Sequence, residues 1–178
     1  MKHVAFLRAV NVAGHGCVKM TDVCKAFEAA GAKDVRSYIQ SGNIVFDAPA
    51  NGIAGLTKDL CRRLQRLLGE EPAVMVRRAA EIAGAMKEAP FGKPDPAVKL
   101  YVAFLAGRTF RRPALPLISE KEALEVVSIV GRDAFVVSRR KKNGMYGFPN
   151  NFIEQQLGVA ATTRNWATVT KIVELCRD

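Results

Sequence analysis

Val4-Ala5-Phe6-Leu7 stands near the start of the chain and returns letter for letter as Val102-Ala103-Phe104-Leu105. A continuous apolar run of this length reads as a strand buried on both faces or at the centre of a sheet. Outward from the first copy, Gly14 and Gly16 mark a loop. A helix from about Met20 to Ala30 follows, with Val23, Cys24, Phe27 and Ala30 on one face and Gly31 as its stop. Val35-Arg36-Ser37-Tyr38-Ile39 and Asn43-Ile44-Val45-Phe46 read as two strands joined through Ser41-Gly42-Asn43, short enough for a hairpin turn. A helix from about Ile53 to Leu68 buries a stripe of Leu56, Leu60, Leu64, Leu67 and Leu68 and ends at Gly69. Pro72-Ala73-Val74-Met75-Val76-Arg77 is the next strand.

This order, β-α-β-β-α-β over residues 1–77, predicts a ferredoxin-like subdomain with both helices on one face of a four-stranded antiparallel sheet. Residues 78–178 read as a related unit, α-β-α-β-β-α-α. Its elements are a helix at about Ala79 to Glu88, the strand Leu100–Leu105, and a stretch in which Pro113 and Pro116 leave room only for a short helix. A hairpin follows, Glu125–Val130 with Ala134–Val137 around Gly131-Arg132-Asp133, then helices at about Asn150 to Leu157 and Arg164 to Cys176. Val35 and Ser37 match Val126 and Ser128 at a constant offset. The expectation is an α+β chain of two ferredoxin-like subdomains. The second is incomplete, lacking its last strand and ending in extra helices. Each is too small to bury much apolar surface alone, so the two are expected to pack together.

With 178 residues, 49% hydrophobic and 25% charged, the composition is that of a compact globular protein rather than a disordered chain. No apolar run approaches the roughly 18 residues of a membrane span, and the apolar start is too short for a signal peptide. The sequence therefore points to a cytoplasmic protein with no membrane partner. The net charge is +10, of which residues 1–77 carry +4 and residues 78–178 carry +6. An even excess gives a broad positive field, which serves solubility and raises encounter rates with nucleic acids, anionic metabolites or acidic proteins. Cys17, Cys24, Cys61 and Cys176 form no Cys-x-x-Cys pair and have no histidine at zinc-finger spacing. All four are expected to be reduced, with Cys17 alone, in a loop, open to reaction. No His-Glu-x-x-His and no acidic pair at metal spacing occurs, so no metal or cofactor is expected.

Four polar segments remain. Arg8 and Asn11 precede Gly14-His15-Gly16, where glycines before a helix can let backbone N–H groups converge on an anion or simply form a flexible connection. Gln40, Ser41 and Asn43 place amide and hydroxyl groups at a hairpin tip, where they bond either a ligand or the turn itself. Arg139-Arg140-Lys141-Lys142 can neutralise phosphates or carboxylates, or stay solvated. Thr162 or Thr163 can cap the last helix, anchored by Trp166, which leaves Arg164 unexplained. The aromatic signature of an RNA-recognition motif is missing from Ile44-Val45-Phe46 and from Arg132-Asp133-Ala134-Phe135-Val136. That excludes one RNA-binding module, not nucleic-acid binding.

Leu7-Arg8-Ala9-Val10-Asn11-Val12-Ala13-Gly14, Tyr38–Phe46 and Ala161-Thr162-Thr163-Arg164-Asn165-Trp166 resemble the three hallmark segments of a mainly bacterial family catalogued as domain of unknown function 1697. The likeness runs from Val4 to about Leu175. It implies a cytoplasmic protein of two ferredoxin-like subdomains and supplies no activity, cofactor or catalytic residue. Ala9 and Ala13 replace two glycines usual in the family, His15 and Cys17 replace lysines, and Tyr146-Gly147 replaces a common Ser/Thr-Lys pair. If the family holds an anion through those lysines, this member holds it less tightly or differently.

Together these features point to a non-catalytic binding protein for an anionic small molecule or nucleic acid. The expected site gathers Arg8, Asn11, Gln40, Ser41, Asn43, Arg164 and Asn165. The alternatives are a small enzyme acting on a phosphorylated or carboxylated metabolite, with Arg8 or Arg164 as clamp and Ser41 or His15 in the chemistry, or an interaction module with no ligand.

Overall fold

The computed structural model describes residues 1–8, 18–70, 72–89, 91, 95–107 and 109–177. The chain is a mixed α+β protein with two antiparallel sheets, and it divides into one unit of Met1–Ile82 with Glu174–Asp178 and another of Ala83–Val173.

In the first unit the elements are β1 (Lys2–Leu7), α1 (Met20–Ala29), β2 (Lys33–Tyr38), β3 (Asn43–Asp47), α2 (Ile53–Leu68) and β4 (Val74–Arg78). Both helices stop where the sequence supplies glycine: Gly31 and Gly69 sit at φ +97° and +80°, conformations that a Cβ disfavours. The sheet order is β2-β3-β1-β4, so Val4-Ala5-Phe6-Leu7 lies on a central strand as its apolar run demands. Ala5, Leu7, Ile44 and Phe46 face Val23, Phe27, Leu56, Leu60 and Leu64 of the two helices, forming one closed core.

The second unit contains β5 (Val98–Leu105), β6 (Leu117–Ser119), β7 (Leu124–Val130), β8 (Asp133–Arg139), α4 (Asn150–Leu157) and β9 (Ala161–Asn165). Helices α3 (Ala79–Lys87) and α5 (Trp166–Leu175) flank it in sequence. Its sheet order is β6-β7-β8-β5-β9. Ala103, Leu105, Val126, Ala134 and Val136 pack with Ile153 and Leu157 of α4.

Three expectations for this half are corrected. Its last strand is present, because Ala161-Thr162-Thr163-Arg164-Asn165 is β9, paired antiparallel with β5 from Leu105↔Ala161 to Tyr101↔Asn165. Consecutive β-branched threonines favour a pleated strand over the helix start read from them. The prolines at 113 and 116 lead into the short strand β6, with no helix among the described residues of 106–116. The matching of Ser37 to Ser128 is one residue out of register, and Val35 falls in a β-bulge. Ser37 pairs with Ile44 beside Ala5, whereas the corresponding place beside Ala103 and Ala134 is filled by Ile129. The cause is the turn: four residues separate the Tyr38↔Asn43 pair and two separate Val130↔Asp133, so no constant offset spans both hairpins.

Candidate functional site

The longer turn of the first unit is where polar motif residues collect. Leu7 ends β1 by donating its backbone N–H to Gly42 O at 2.8 Å, and Arg8 donates its own to Ala73 O at 3.0 Å. Arg8 therefore leaves the central strand between the β2–β3 turn and the entry to β4. The turn is held by Asn43, fully buried, whose Nδ2 donates to Ser41 Oγ at 2.8 Å and to Tyr38 O at 3.2 Å. Positive φ falls on Gly42 at +69° and also on Ile39 at +50°. A β-branched residue in that region is strained, and Ile39 is 52% exposed, so no burial compensates it. Gln40 is exposed and Ser41 half-buried.

Of the residues expected at a site, Arg8, Gln40, Ser41 and Asn43 thus meet at one end of the first sheet. Asn11 lies outside the described residues, as do Gly14, His15, Gly16 and Cys17. Arg164 and Asn165 belong to β9 of the second unit. Arg164 Nη1 donates to Thr162 Oγ1 at 2.8 Å and to Thr163 O at 2.9 Å, and burial draws its guanidinium pKa down to about 10, still cationic at neutral pH. Asn165 accepts the Thr168 N–H on Oδ1 at 2.8 Å, so it caps α5, the role read earlier for Thr162 or Thr163. Thr163 instead donates its hydroxyl to Asn150 Oδ1 at 2.6 Å, and Glu154 Oε1 accepts the Ala161 N–H at 2.7 Å, which tie β9 to α4.

The basic run at the end of β8 divides by the strand's two-residue period. Arg139 pairs with Glu125 at 2.6 Å and Lys141 with Glu122 at 2.6 Å. Lys141 holds the Glu122 carboxyl below its usual range. Arg140 and Lys142 form no ion pair among the described residues. A depression of about 370 Å³ is lined by Lys142 together with Glu120, Lys121, Lys141 and Asn143. In the first unit a groove of about 400 Å³ runs past Lys25, Arg63, Arg66 and Leu67, with Lys25 paired to Asp22 and Arg63 to Asp59. Cys24, Cys61 and Cys176 form no disulfide among the described residues, and burial raises the pKa of Cys24 and Cys176. Among the described residues no group of His, Cys, Asp or Glu could hold a metal ion, and no helix is long and apolar enough to cross a membrane.

The chain is similar in fold to the conserved bacterial protein SP0830 from Streptococcus pneumoniae, with a TM-score of 0.61, 16% identity and 97% of each chain covered. No curated protein matches the sequence. The sequence does match a family described as "Protein of unknown function (DUF1697)" over residues 1–135, a span that includes the Leu7–Gly14 and Tyr38–Phe46 segments and ends before Ala161–Trp166. The match covers most of the sequence, and the chain belongs to that family, DUF1697.

Proposed function

We propose that this protein is a non-catalytic cytoplasmic binding protein for an anionic ligand or nucleic acid, with Arg8, Gln40 and Ser41 at its first-unit site. Both units are read as ferredoxin-like, a reading supported by the strand orders β2-β3-β1-β4 and β7-β8-β5-β9. The observation that carries the functional reading is the strained, exposed Ile39 in a four-residue turn laid against the strand end that delivers Arg8. A shorter turn without strain closes the equivalent hairpin at Gly131-Arg132. Strain that the fold does not need is commonly kept for function. Arg8 at the end of β1, next to a turn that carries the exposed Gln40 and the half-buried Ser41, suits a phosphate or carboxylate, which accepts several charge-assisted bonds at once. Asn43 is the positioning residue of this site, since its amide fixes the turn. Arg164, desolvated yet charged, is the second-unit cation proposed for the same class of ligand.

The test is binding of inorganic phosphate, a nucleoside triphosphate and a short labelled oligonucleotide at low salt. At least one should bind, and Arg8→Gln and Gln40→Ala should weaken it several-fold with little change in melting temperature. Absence of binding for all three at low salt overturns the reading, because phosphate contacts are strongest there.

A further inference from the structure

The second unit carries a different surface, built around the hairpin that leaves β8. Arg140 and Tyr146 form an isolated antiparallel bridge, and Lys141 N–H donates to Met145 O at 2.8 Å. Within this turn Gly144 takes φ +80° and donates to Lys141 O at 2.9 Å, and Asn143 Oδ1 accepts the Met145 N–H at 3.0 Å. The hairpin is fastened to the sheet at two points. Buried Ser138 donates its hydroxyl to Gly147 O at 3.0 Å, and Lys141 reaches Glu122. Gly147 lies so close to Glu122 O that a Cβ has no room. The turn is therefore a rigid feature of the surface rather than a loose loop.

What this hairpin presents is a mixture of cations and rings. Tyr146 donates its hydroxyl to Ala97 O at 3.2 Å and accepts Arg140 Nε at 3.1 Å. Lys99 Nζ lies 4.6 Å from the Tyr146 ring centre and Arg140 Cζ 5.4 Å from it, so one ring gathers two cations. Neither cation forms an ion pair among the described residues. Phe148 meets Tyr101 in a T-shaped pair, with ring centres 5.8 Å apart and planes 81° apart, and remains 56% exposed. Met145 is 65% exposed. A large aromatic ring left in water next to cations already held in place costs free energy in the unliganded protein.

We infer that the surface formed by Lys99, Arg140 and Phe148, with Lys142 farther along the same hairpin, binds single-stranded nucleic acid, with phosphates on the cations and an unstacked base on the Phe148 ring. Every base has a π-face, so this mode tolerates any sequence, and a duplex, whose bases are stacked inside, cannot use Phe148. The net charge of +10 complements such a polyanion. An acidic peptide would use the cations and leave the ring idle. A lipid surface would need more apolar area than Met145 and Phe148 provide. This inference does not depend on the Arg8 site, and its variants lie elsewhere, so either can fail alone.

The experiment is fluorescence anisotropy of the full chain with a labelled oligo(dT) or oligo(U) at low salt, the same-length duplex, and vesicles of phosphatidylserine and phosphatidylcholine. The single strand should bind more tightly than the duplex. Phe148→Ala should weaken it by roughly tenfold or more, and Lys142→Gln should lessen the salt dependence by about one unit of slope. Phe148→Leu, which keeps apolar bulk without a flat ring, should behave like Phe148→Ala, and circular dichroism should show both variants folded. Equal binding of duplex and single strand, binding unaffected by Phe148→Ala, or binding to vesicles alone would overturn the inference.

Discussion

Asn43 and Asp133 hold equivalent places in the two sheets: each is a buried polar residue opening the strand (β3 or β8) that pairs with the central Val-Ala-Phe-Leu run, across from that run's phenylalanine. Asn43 pairs with Phe6 and Asp133 with Phe104. The backbone around them repeats as well. Leu7 and Leu105 donate to Gly42 O and Arg132 O at 2.8 and 2.9 Å, and Arg8 and Ala106 donate to Ala73 O and Ala160 O at 3.0 and 2.9 Å. Against this shared frame the two units differ. The first unit has a longer, strained turn beside an arginine, and the second has an alanine there but a rigid cationic hairpin at the other end of β8.

Asn43→Ala should destabilise the protein by about 1–3 kcal/mol, because it strips two donated bonds from a buried turn. Urea unfolding followed by circular dichroism measures this. A change within error would mean that the turn does not depend on the amide.

Ile39→Asn should act in the opposite sense. Asparagine tolerates positive φ, so relief of strain should raise stability by about 1 kcal/mol. If the strain serves binding, the same variant should lose affinity for the phosphate ligand. A stabilised variant with full affinity would separate the strain from the site.

Asn165→Ala should cost about 1 kcal/mol of stability through loss of the α5 cap, and Asn165→Asp should restore most of it. Equal melting temperatures for wild type and Asn165→Ala would refute the cap.

His3 is buried against Phe46, with ring centres 5.5 Å apart, and burial lowers its pKa from the usual value. The unfolded chain therefore takes up the proton first as pH falls. Stability contributed by neutral His3 is complete above the unfolded pKa of about 6.5 and is lost as pH drops through the lower folded value. Denaturant midpoints measured from pH 8 down to 5 should fall across that window, and His3→Phe, which keeps the stack, should flatten the fall.

The sequence made the first unit readable almost in full, because each local signal agreed with the others. The glycine stops and the unbroken Val4–Leu7 run each had one physical reading, and of the α2 stripe Leu56, Leu60 and Leu64 are buried, whereas Leu67, expected with them, is 38% exposed on the groove beside Lys25 and Arg66. The second unit was harder. Thr162 and Thr163 satisfy the rules for a helix cap and for a strand equally well, and only the pairing partner on β5, some sixty residues earlier, decides between them. At the candidate site, the sequence identified Arg8 and the turn residues by their unusual polarity. It did not reveal that Asn43 faces inward, nor that Ile39 is strained, since neither follows from residue type. Lys99 and Phe148 escaped notice because neither stands in a motif, and Tyr146 stood out only as a departure from the family pattern; ring contacts of Lys99 with Tyr146 and of Tyr101 with Phe148 place them on one surface.

The most direct test of anion binding is the salt dependence of oligonucleotide affinity for the unaltered protein. Affinity should be measurable at low salt, and its logarithm should fall linearly with the logarithm of salt concentration, at about 0.7 per phosphate engaged. A protein that binds nothing at the lowest salt, or whose binding is indifferent to salt, is not the phosphate-binding protein described above.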